Sequence, residues 1–283
     1  MSKIAFATFA EQPTLVPGDQ LAADALEQRG FEVEAAVWDD SGIDWKQYAA
    51  VVIRSTWDYH LKAKAFKEWV SKLKHWRVKL LNPHDVILWN MNKTYLRDLV
   101  DNEIEVVPTV WLPGGAKADL QTLLAQKDWA QAVVKPTISA SAYQTWLTNP
   151  QTAAQDNPRL REMLANSGVL VQQFMSAVQT HGEWSLMFFN KQFSHSVLKH
   201  PDDGDFRVGD HNETVDLPPA ALVEQARAIL DTIELPLAYT RVDGVEVDGK
   251  LVLMELELIE PYLFLEKHPA APDRFAEAIA GML

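Results

Sequence analysis

Three features of the sequence predict an α/β chain with α+β character. Residues 1–60 alternate short apolar runs with a helical stretch, the rhythm of βαβ units and a small, mostly parallel sheet. Two later stretches, 182–199 and 239–260, each read as two strands doubling back on one another, the pattern of antiparallel pairing. The 283 residues, 47% hydrophobic and 23% charged with no low-complexity tract, suffice for two or three subdomains with their own cores. The layout predicts an N-terminal, mostly parallel α/β subdomain over residues 1–86, a central α+β subdomain over 87–165 and a C-terminal one over 166–283.

Ile4–Phe9 is the first expected strand. Gly18–Gly30 carries helical spacing through Leu21, Ala22 and Leu26, and Gly30 suits a helix C-terminus. Phe31–Trp38 and Ala49–Arg54 follow as strands. In a parallel sheet, ligands collect in the crevice beyond the carboxyl ends of strands. Arg54, Trp57, Asp58 and Tyr59 stand at such an end and are the expected small-substrate residues. Their bland alternative is an Arg54–Asp58 pair capping the next helix. A helix is expected over Lys64–Lys74, a boundary at Leu80-Leu81-Asn82-Pro83 and one continuous helix over Trp89–Leu99. Strand-like Glu105–Trp111 precedes a loop and helix in Gly114–Asp128. Ala132–Pro136 is a buried strand that closes on Lys135, and Thr137–Thr145 is a loop of small residues. Gly168–Phe174 and the run from Gly182 to Lys199 are strands, and Pro218–Leu235 holds a helix. No internal repeat is present.

The segment Tyr239–Pro261 carries the densest chemistry. Side chains alternate faces along a strand, so Val252, Met254, Leu256 and Leu258 should share one apolar face and Glu255 and Glu257 the other. Two acids at i and i+2, about 6–7 Å apart, repel unless something positive lies between them. A hard divalent cation such as Mg²⁺ meets that need with oxygen ligands. Asp248-Gly249 signals the turn. A two-residue loop would pair Asp243 with Met254 and send it away from both glutamates. A three-residue loop would pair Arg241 with Glu255 and gather Arg241, Asp243, Glu255 and Glu257 on one face, and this odd loop is the expected register. A solvated strand face explains the alternation but not why the face turns acidic where the aspartate arrives.

A net charge of −13 and a pI near 5.0 argue against nucleic acid or an anionic membrane as the main partner. The absence of cysteine excludes disulfides, thiolate metal sites and cysteine nucleophiles. No stretch is long enough to span a bilayer and the N-terminal apolar run is too short for a signal peptide, so a cytoplasmic location is expected. The ten tryptophans are expected mainly in core packing.

Taken in order, these pieces resemble the ATP-grasp superfamily, by motif over residues 88–262 and by layout over the whole chain. Asn92-Lys93-x-x-x-Arg97 resembles the family's phosphate-reaching helix, and Val133-Val134-Lys135-Pro136 its second lysine strand. Val171-Gln172-Gln173-Phe174 resembles the hinge that holds adenine, and Glu183 the ribose acid. Arg241-x-Asp243 followed by Glu255-x-Glu257 resembles the set that holds two Mg²⁺ ions and the reacting acyl phosphate. The resemblance implies ATP contacts at Lys93, Arg97, Lys135, Ser139, Ala140, Ser141, Gln172, Gln173, Phe174 and Glu183. It implies metal contacts at Asp243, Glu255 and Glu257, with Arg241 at the reacting centre. Within the superfamily the chain is similar to glutathione-synthetase-like and RimK-type carboxylate–amine ligases, in which Gly204-Asp205-Phe206-Arg207 would place Arg207 at the γ-phosphate and acyl group. Arg54–Tyr59, Trp89-Asn90, Lys135-Pro136-x-x-Ser139-Ala140 and Glu255-Leu256-Glu257 also resemble cyclo-ligases of the cycloserine-forming type. Departures are Ser139–Ala142 where the phosphate loop usually carries glycines, Gln173 where the hinge often has Glu, and Glu257 where Asn is usual.

The resemblance therefore implies an ATP- and Mg-dependent carboxylate–amine ligase working through an acyl phosphate on a small amino-acid-like substrate. The implied partners are a small carboxylate and an amine, with a homo-oligomer compatible with the sequence. An intramolecular cyclo-ligase needs the same ATP site, and an ATP-binding module without ligase activity is the alternative from another class.

Overall fold

The computed structural model describes residues 2–202, 205, 207, 208 and 212–283, so Gly204 and Phe206 of the expected Gly-Asp-Phe-Arg element lie outside the described residues. The chain begins with β1 (Ser2–Thr8), α1 (Pro17–Glu27), β2 (Phe31–Val37), β3 (Ala50–Ile53), α2 (Ala63–His75) and β4 (Leu80–Leu81). The four strands form an all-parallel sheet in the order β2-β1-β3-β4. Alternation splits its side chains cleanly. Ile4, Phe6 and Val52 pack with α1, while Ala5, Ala7, Val51 and Ile53 face α2 through Phe66, Trp69 and Leu73. Trp38, Trp45 and Trp69 lie in that second core, edge to face or tilted on one another.

The expected helix over Trp89–Leu99 is two helices, α3 (His84–Asn90) and α4 (Tyr95–Asp101), with a break at residues 91–94. The break has a cause in hydrogen bonding. The Asn92 side chain accepts from Thr94 N–H, and Lys93 N–H donates to the Thr137 carbonyl at 2.7 Å rather than to a helical turn. Next come β5 (Thr109–Leu112), α5 (Leu120–Lys127), β6 (Ala132–Pro136), β7 (Trp146–Thr148), α6 (Ala153–Asn166) and β8 (Val169–Gln173). Their antiparallel sheet runs β5-β8-β6-β7 over a core with α5 and α6. β8 lies beyond the 165/166 boundary read from the sequence, yet it pairs between β5 and β6. The central sheet therefore extends to Gln173. The helix α6 was not singled out by the sequence, since its apolar positions are sparse and Pro158 sits inside it.

The rest is α7 (Ala177–His181), β9 (Glu183–Phe189), β10 (Gln192–Lys199), β11 (Glu213–Val215), α8 (Ala220–Asp231), β12 (Tyr239–Val247), β13 (Lys250–Glu257) and α9 (Ala271–Ala280). Its sheet runs β11-β10-β9-β12-β13, wholly antiparallel. The β12–β13 turn corrects the expected register. Val247 pairs with Lys250, so the loop is the two residues Asp248-Gly249, with φ of 51° and 77°. Two positive φ values define the turn type that best matches strand twist. The change of parity comes from a bulge instead: Gly244 pairs with Leu253 but Asp243 pairs with Glu255, leaving Met254 extra. Gly244 is required there, because a Cβ would stand 2.8 Å from the Val252 carbonyl oxygen. The bulge also divides the apolar face expected of Val252, Met254, Leu256 and Leu258. Leu251, Leu253, Leu256 and Leu258 share the large core with α4 and α8, whereas Val252 and Met254 join a separate small cluster with Val107 and Val178.

Polar side chains lock the subdomains around β13. Asn82 Nδ2 donates to the Tyr239 and Leu258 carbonyls, and its Oδ1 accepts from Ala238 N–H. Asn90 donates to the Leu256 carbonyl and accepts from Leu258 N–H. Residues 105–107 run beside β13, exchanging backbone hydrogen bonds with Leu253. No helix among the described residues is long and apolar enough to cross a membrane.

Candidate active site

A cavity of about 750 Å³ opens between the central and C-terminal sheets, with the residues after β3 along one side. That volume falls within the roughly 300–1,000 Å³ usual for small-molecule sites. Strand alternation brings Val133 and Lys135 to the same face of β6, and both line it. The bulge does the same for β12 and β13, placing Arg241, Asp243, Glu255 and Glu257 on its floor.

Glu255 is the junction of the site. Lys93 Nζ reaches one carboxylate oxygen at 2.9 Å and Lys135 Nζ the other at 2.7 Å. Burial works to raise the Glu255 pKa, but the two lysines outweigh it and hold the carboxyl well below its usual range. Arg241 grips Asp243 through Nε and Nη2 at 2.9–3.0 Å, reaches Glu257 at 2.7 Å and donates to the Tyr262 carbonyl at 3.0 Å. Such forked contacts fix a guanidinium in one plane. Asp243 also accepts from Ser185 Oγ at 2.5 Å. Burial raises its pKa, yet Arg241 and Lys199 prevail and keep it ionised. Glu257 lacks that balance: burial, with Asp243 and Glu255 nearby, lifts it to about 7 despite Arg241. Glu183 meets Lys199 Nζ at 2.6 Å, and burial raises it despite that lysine.

The residues read as ATP contacts divide. Lys93, Lys135, Ser139, Ala140, Ser141, Gln172, Gln173, Phe174 and Glu183 all line the cavity. Arg97 does not; it is exposed on the outer side of α4, because the break after α3 redirects that helix. The loop after β6 takes left-handed backbone without glycine, with φ of 49° at Ser141, 54° at Ala142 and 52° at Gln144. Tyr143 at its tip rests against His60, ring centroids 5.1 Å apart. In the hinge, Gln173 and Phe174 N–H groups already donate to the Pro108 and Gln131 carbonyls. Arg207 lines the cavity, is itself exposed and pairs with Asp205.

The expected substrate cluster also divides. Trp57 and Tyr59 line the cavity. Arg54 lies behind that wall, buried against Asp19 at 2.8 Å and donating to the Pro261 carbonyl. Asp58 turns the other way, accepting from Trp38 Nε1 and pairing with Lys62. Arg54 and Asp58 therefore neither line the cavity nor pair with each other. The distant Asp19, first-turn residue of α1, could not be assigned to Arg54 by sequence spacing.

Sequence reasoning passed over Val107, Met175, Val178 and Met254, the apolar lining, and Glu260 and Tyr262 just after β13. Lys199 lies at the cavity between Glu183 and Asp243. Strand alternation from Glu183 would have found Lys199, its partner across β9–β10. Among the described residues, no three acidic or histidine side chains are drawn together as a ready metal cage. Each of Asp243, Glu255 and Glu257 is instead turned to a cationic side chain. The donor set still fits a hard cation, since all three offer carboxylate oxygens on one face of the cavity.

The family described as the N-terminal domain of D-cycloserine synthetase DcsG matches residues 4–82. The cycloserine biosynthesis protein DcsG of Streptomyces lavendulae is 32% identical over 276 residues, covering 92% of each chain. The crystal structure of D-cycloserine synthetase DcsG superposes with a TM-score of 0.90 at 28% identity, covering 99% of both chains. D-alanine–D-alanine ligase from Bacillus anthracis shares the fold, with a TM-score of 0.71 at 14% identity over 99% of this chain and 97% of the ligase. The chain belongs to the ATP-grasp superfamily, in the family of the cycloserine synthetase DcsG, and is an ATP-dependent carbon–nitrogen ligase.

Proposed function

We propose that this ligase activates the carboxylate of a small amino-acid-like substrate as an acyl phosphate, with ATP and Mg²⁺, and then joins it to a nitrogen. The observation that carries the reading is the Lys93–Glu255–Lys135 bridge on the same cavity floor as Arg241, Asp243 and Glu257. Two lysines from separate segments of the chain and a forked arginine converge where a triphosphate and a carboxylate must be brought together against their mutual repulsion. Electrostatic stabilisation and positioning are the main resources for phosphoryl transfer.

In the first step a substrate carboxylate oxygen attacks the γ-phosphorus and ADP leaves. In the second a nitrogen attacks the acyl carbon, phosphate leaves and the nitrogen gives up a proton. Lys93 and Lys135 hold phosphate oxygens, and their release from Glu255 frees that carboxylate for metal. Arg241, with Arg207 reaching in from the cavity edge, neutralises the oxygens that gain charge. Asp243, Glu255 and Glu257 would hold Mg²⁺, two ions being the expected number, and the metal would supply charge neutralisation for the phosphate oxygens. The apolar group Val107, Val133, Met175, Val178 and Met254 offers a slot for adenine beside the hinge. Glu183, held by Lys199, is placed for ribose hydroxyls. A reaction that draws on ATP suits the cytoplasm.

A second reading is cyclisation of one substrate, favoured by the relatives' cycloserine-forming names. Phosphate release measured with Mg·ATP against a pool of amino acids and small carboxylates tests the ligase reading. Substrate-dependent release with a dehydrated product is expected, and its absence overturns the reading. Mass spectrometry of that product separates joining, which adds two masses, from ring closure, which draws on one substrate alone.

A further inference from the structure

Thr109, Gln172 and Val133 form one cross-strand row on β5, β8 and β6. Residues opposite one another in antiparallel strands carry their side chains to the same face. Val133 and Gln172 line the cavity beside the apolar slot of Val107, Met175, Val178 and Met254, while Thr109 is next in the row and outside the lining. Two hydrogen bonds run along this row. The Thr109 hydroxyl donates to the Val107 carbonyl at 2.6 Å and accepts from Gln172 Nε2 at 2.9 Å.

The relay runs one way. A hydroxyl owns a single hydrogen, and a carbonyl has none to offer. At 2.6 Å the Thr109 hydrogen is committed to Val107, so Gln172 must turn its NH₂ end toward Thr109. The other end of the amide is fixed with it. Gln172 is buried, yet its Oε1 takes no hydrogen bond among the described residues and is not sealed from solvent, so it opens into the cavity that Gln172 lines. The adjacent Gln173 and Phe174 N–H groups are taken by the Pro108 and Gln131 carbonyls and present no donor there. A fixed acceptor welcomes an amino group on a base and opposes a ring carbonyl, which leaves two acceptors facing each other. An amide free to turn would make no such distinction, since its two ends differ only in donor and acceptor character.

We propose that Thr109 is a positioning residue that sets the base preference of this site. By locking the Gln172 amide, it makes the slot take a purine with a 6-amino group and refuse one with a 6-carbonyl. The inference rests on the reading above that the apolar slot holds the base, and it adds which atom reads the base and what aims that atom. Thr109 itself touches no nucleotide. Removing its hydroxyl while keeping its shape frees the amide to turn and offer Nε2 to a carbonyl. The effect falls on the choice between nucleotides and spares the grip on phosphate, which belongs to Lys93 and Lys135.

Calorimetric titration with Mg·ATP and Mg·ITP tests this, because the two bases differ only at position 6 and the ring nitrogen beside it. Wild type should bind ATP about 30-fold more tightly than ITP, the scale of one hydrogen bond replaced by two facing acceptors. In Thr109→Val, which keeps the β-branched shape that strands favour, the ratio should fall to about threefold or less. Thr109→Ala, a smaller side chain, carries the same expectation should Thr109→Val not fold. Thr109→Ser keeps the hydroxyl and should keep the wild-type ratio. A merely structural Thr109 would lower stability or weaken both nucleotides alike and leave the ratio unmoved. Equal binding of the two by wild type, an unchanged ratio in Thr109→Val and Thr109→Ala, or a collapsed ratio in Thr109→Ser overturns the inference and leaves the slot reading standing. Met175→Trp tests the slot itself. Filling it should weaken both nucleotides by about tenfold, and unchanged binding overturns the slot reading and this inference with it.

Discussion

Arg54 and Arg241 are near twins in local chemistry. Each is buried, each holds an aspartate at 2.8–2.9 Å and each donates to a backbone carbonyl in the segment after β13, Pro261 for one and Tyr262 for the other. Each also lies over aromatic rings, Arg54 at 5.3 Å from Tyr239 and Phe275 and Arg241 at 6.0 Å from Phe264. Only Arg241 borders the cavity. Burial and pairing therefore do not distinguish the two arginines; access to the cavity does. Arg54 ties α1 to the end of β3 and the post-β13 segment, whereas Arg241 shares its charge with two carboxylates that a metal can claim.

The largest expected effect lies on the Arg241 side. Glu255→Gln should lower substrate-dependent phosphate release by about 10³-fold or more, as losses of charge at a phosphoryl-transfer site do. Its melting curve should stay cooperative, and near-normal turnover would remove Glu255 from the site. On the Arg54 side, Arg54→Ala strands buried Asp19, whose own pKa burial already raises despite Arg54. Stability should fall by about 3 kcal/mol in urea unfolding, with kcat/KM per folded molecule unchanged. A rise in substrate KM instead would break the comparison and return Arg54 to the substrate.

Arg241→Lys keeps charge but loses the fork. A drop in kcat/KM of roughly 50-fold is expected, against little change in melting temperature. Arg54 lies over Phe275, Phe275 stacks on Phe189 and Phe189 packs against His195, whose ring bonds the Leu263 carbonyl at 2.8 Å. Burial lowers the His195 pKa to about 4 from 6.5. The folded state therefore prefers the neutral ring, and its stabilising contribution is full above pH 6.5 and lost as pH falls toward 4. About 2 kcal/mol should disappear between pH 7 and pH 5, and a His195→Gln variant should show a flatter profile. An identical profile in that variant would assign the loss elsewhere. The smallest effect belongs to Arg97→Ala, for which KM for ATP should stay within about twofold, as for an exposed side chain outside the cavity. A larger rise would bring Arg97 into the phosphate site after all.

Much of the site was legible because it lies on strands, where a period of two carries each side chain to a known face. Asp243, Glu255 and Glu257 were brought to one face in this way, and Lys93 and Lys135 were singled out by their place in motifs. The hairpin shows the limit of that logic. Gathering the acids on one face was correct, but the odd loop thought to do it was not: the turn has two residues, and Met254 in the bulge supplies the odd residue. Turn and bulge have the same effect on parity, and strand pattern alone does not tell them apart. Arg97 lies outside the cavity for a related reason. It was carried over with Lys93 from a motif that lies on one helix, while a backbone bond from Lys93 to Thr137, a long-range partner, breaks that helix.

By itself the sequence determined the alternation of strands and helices, the parallel N-terminal sheet, the antiparallel pairs and the acidic strand face, since these follow from local periodicity and turn chemistry. The tertiary structure alone decided which charge answers which. Asp19 with Arg54, and Lys93 and Lys135 with Glu255, are outcomes of distance between segments far apart in the chain. Electrostatic energy depends on separation in space and on local burial, and neither is written in the order of residues.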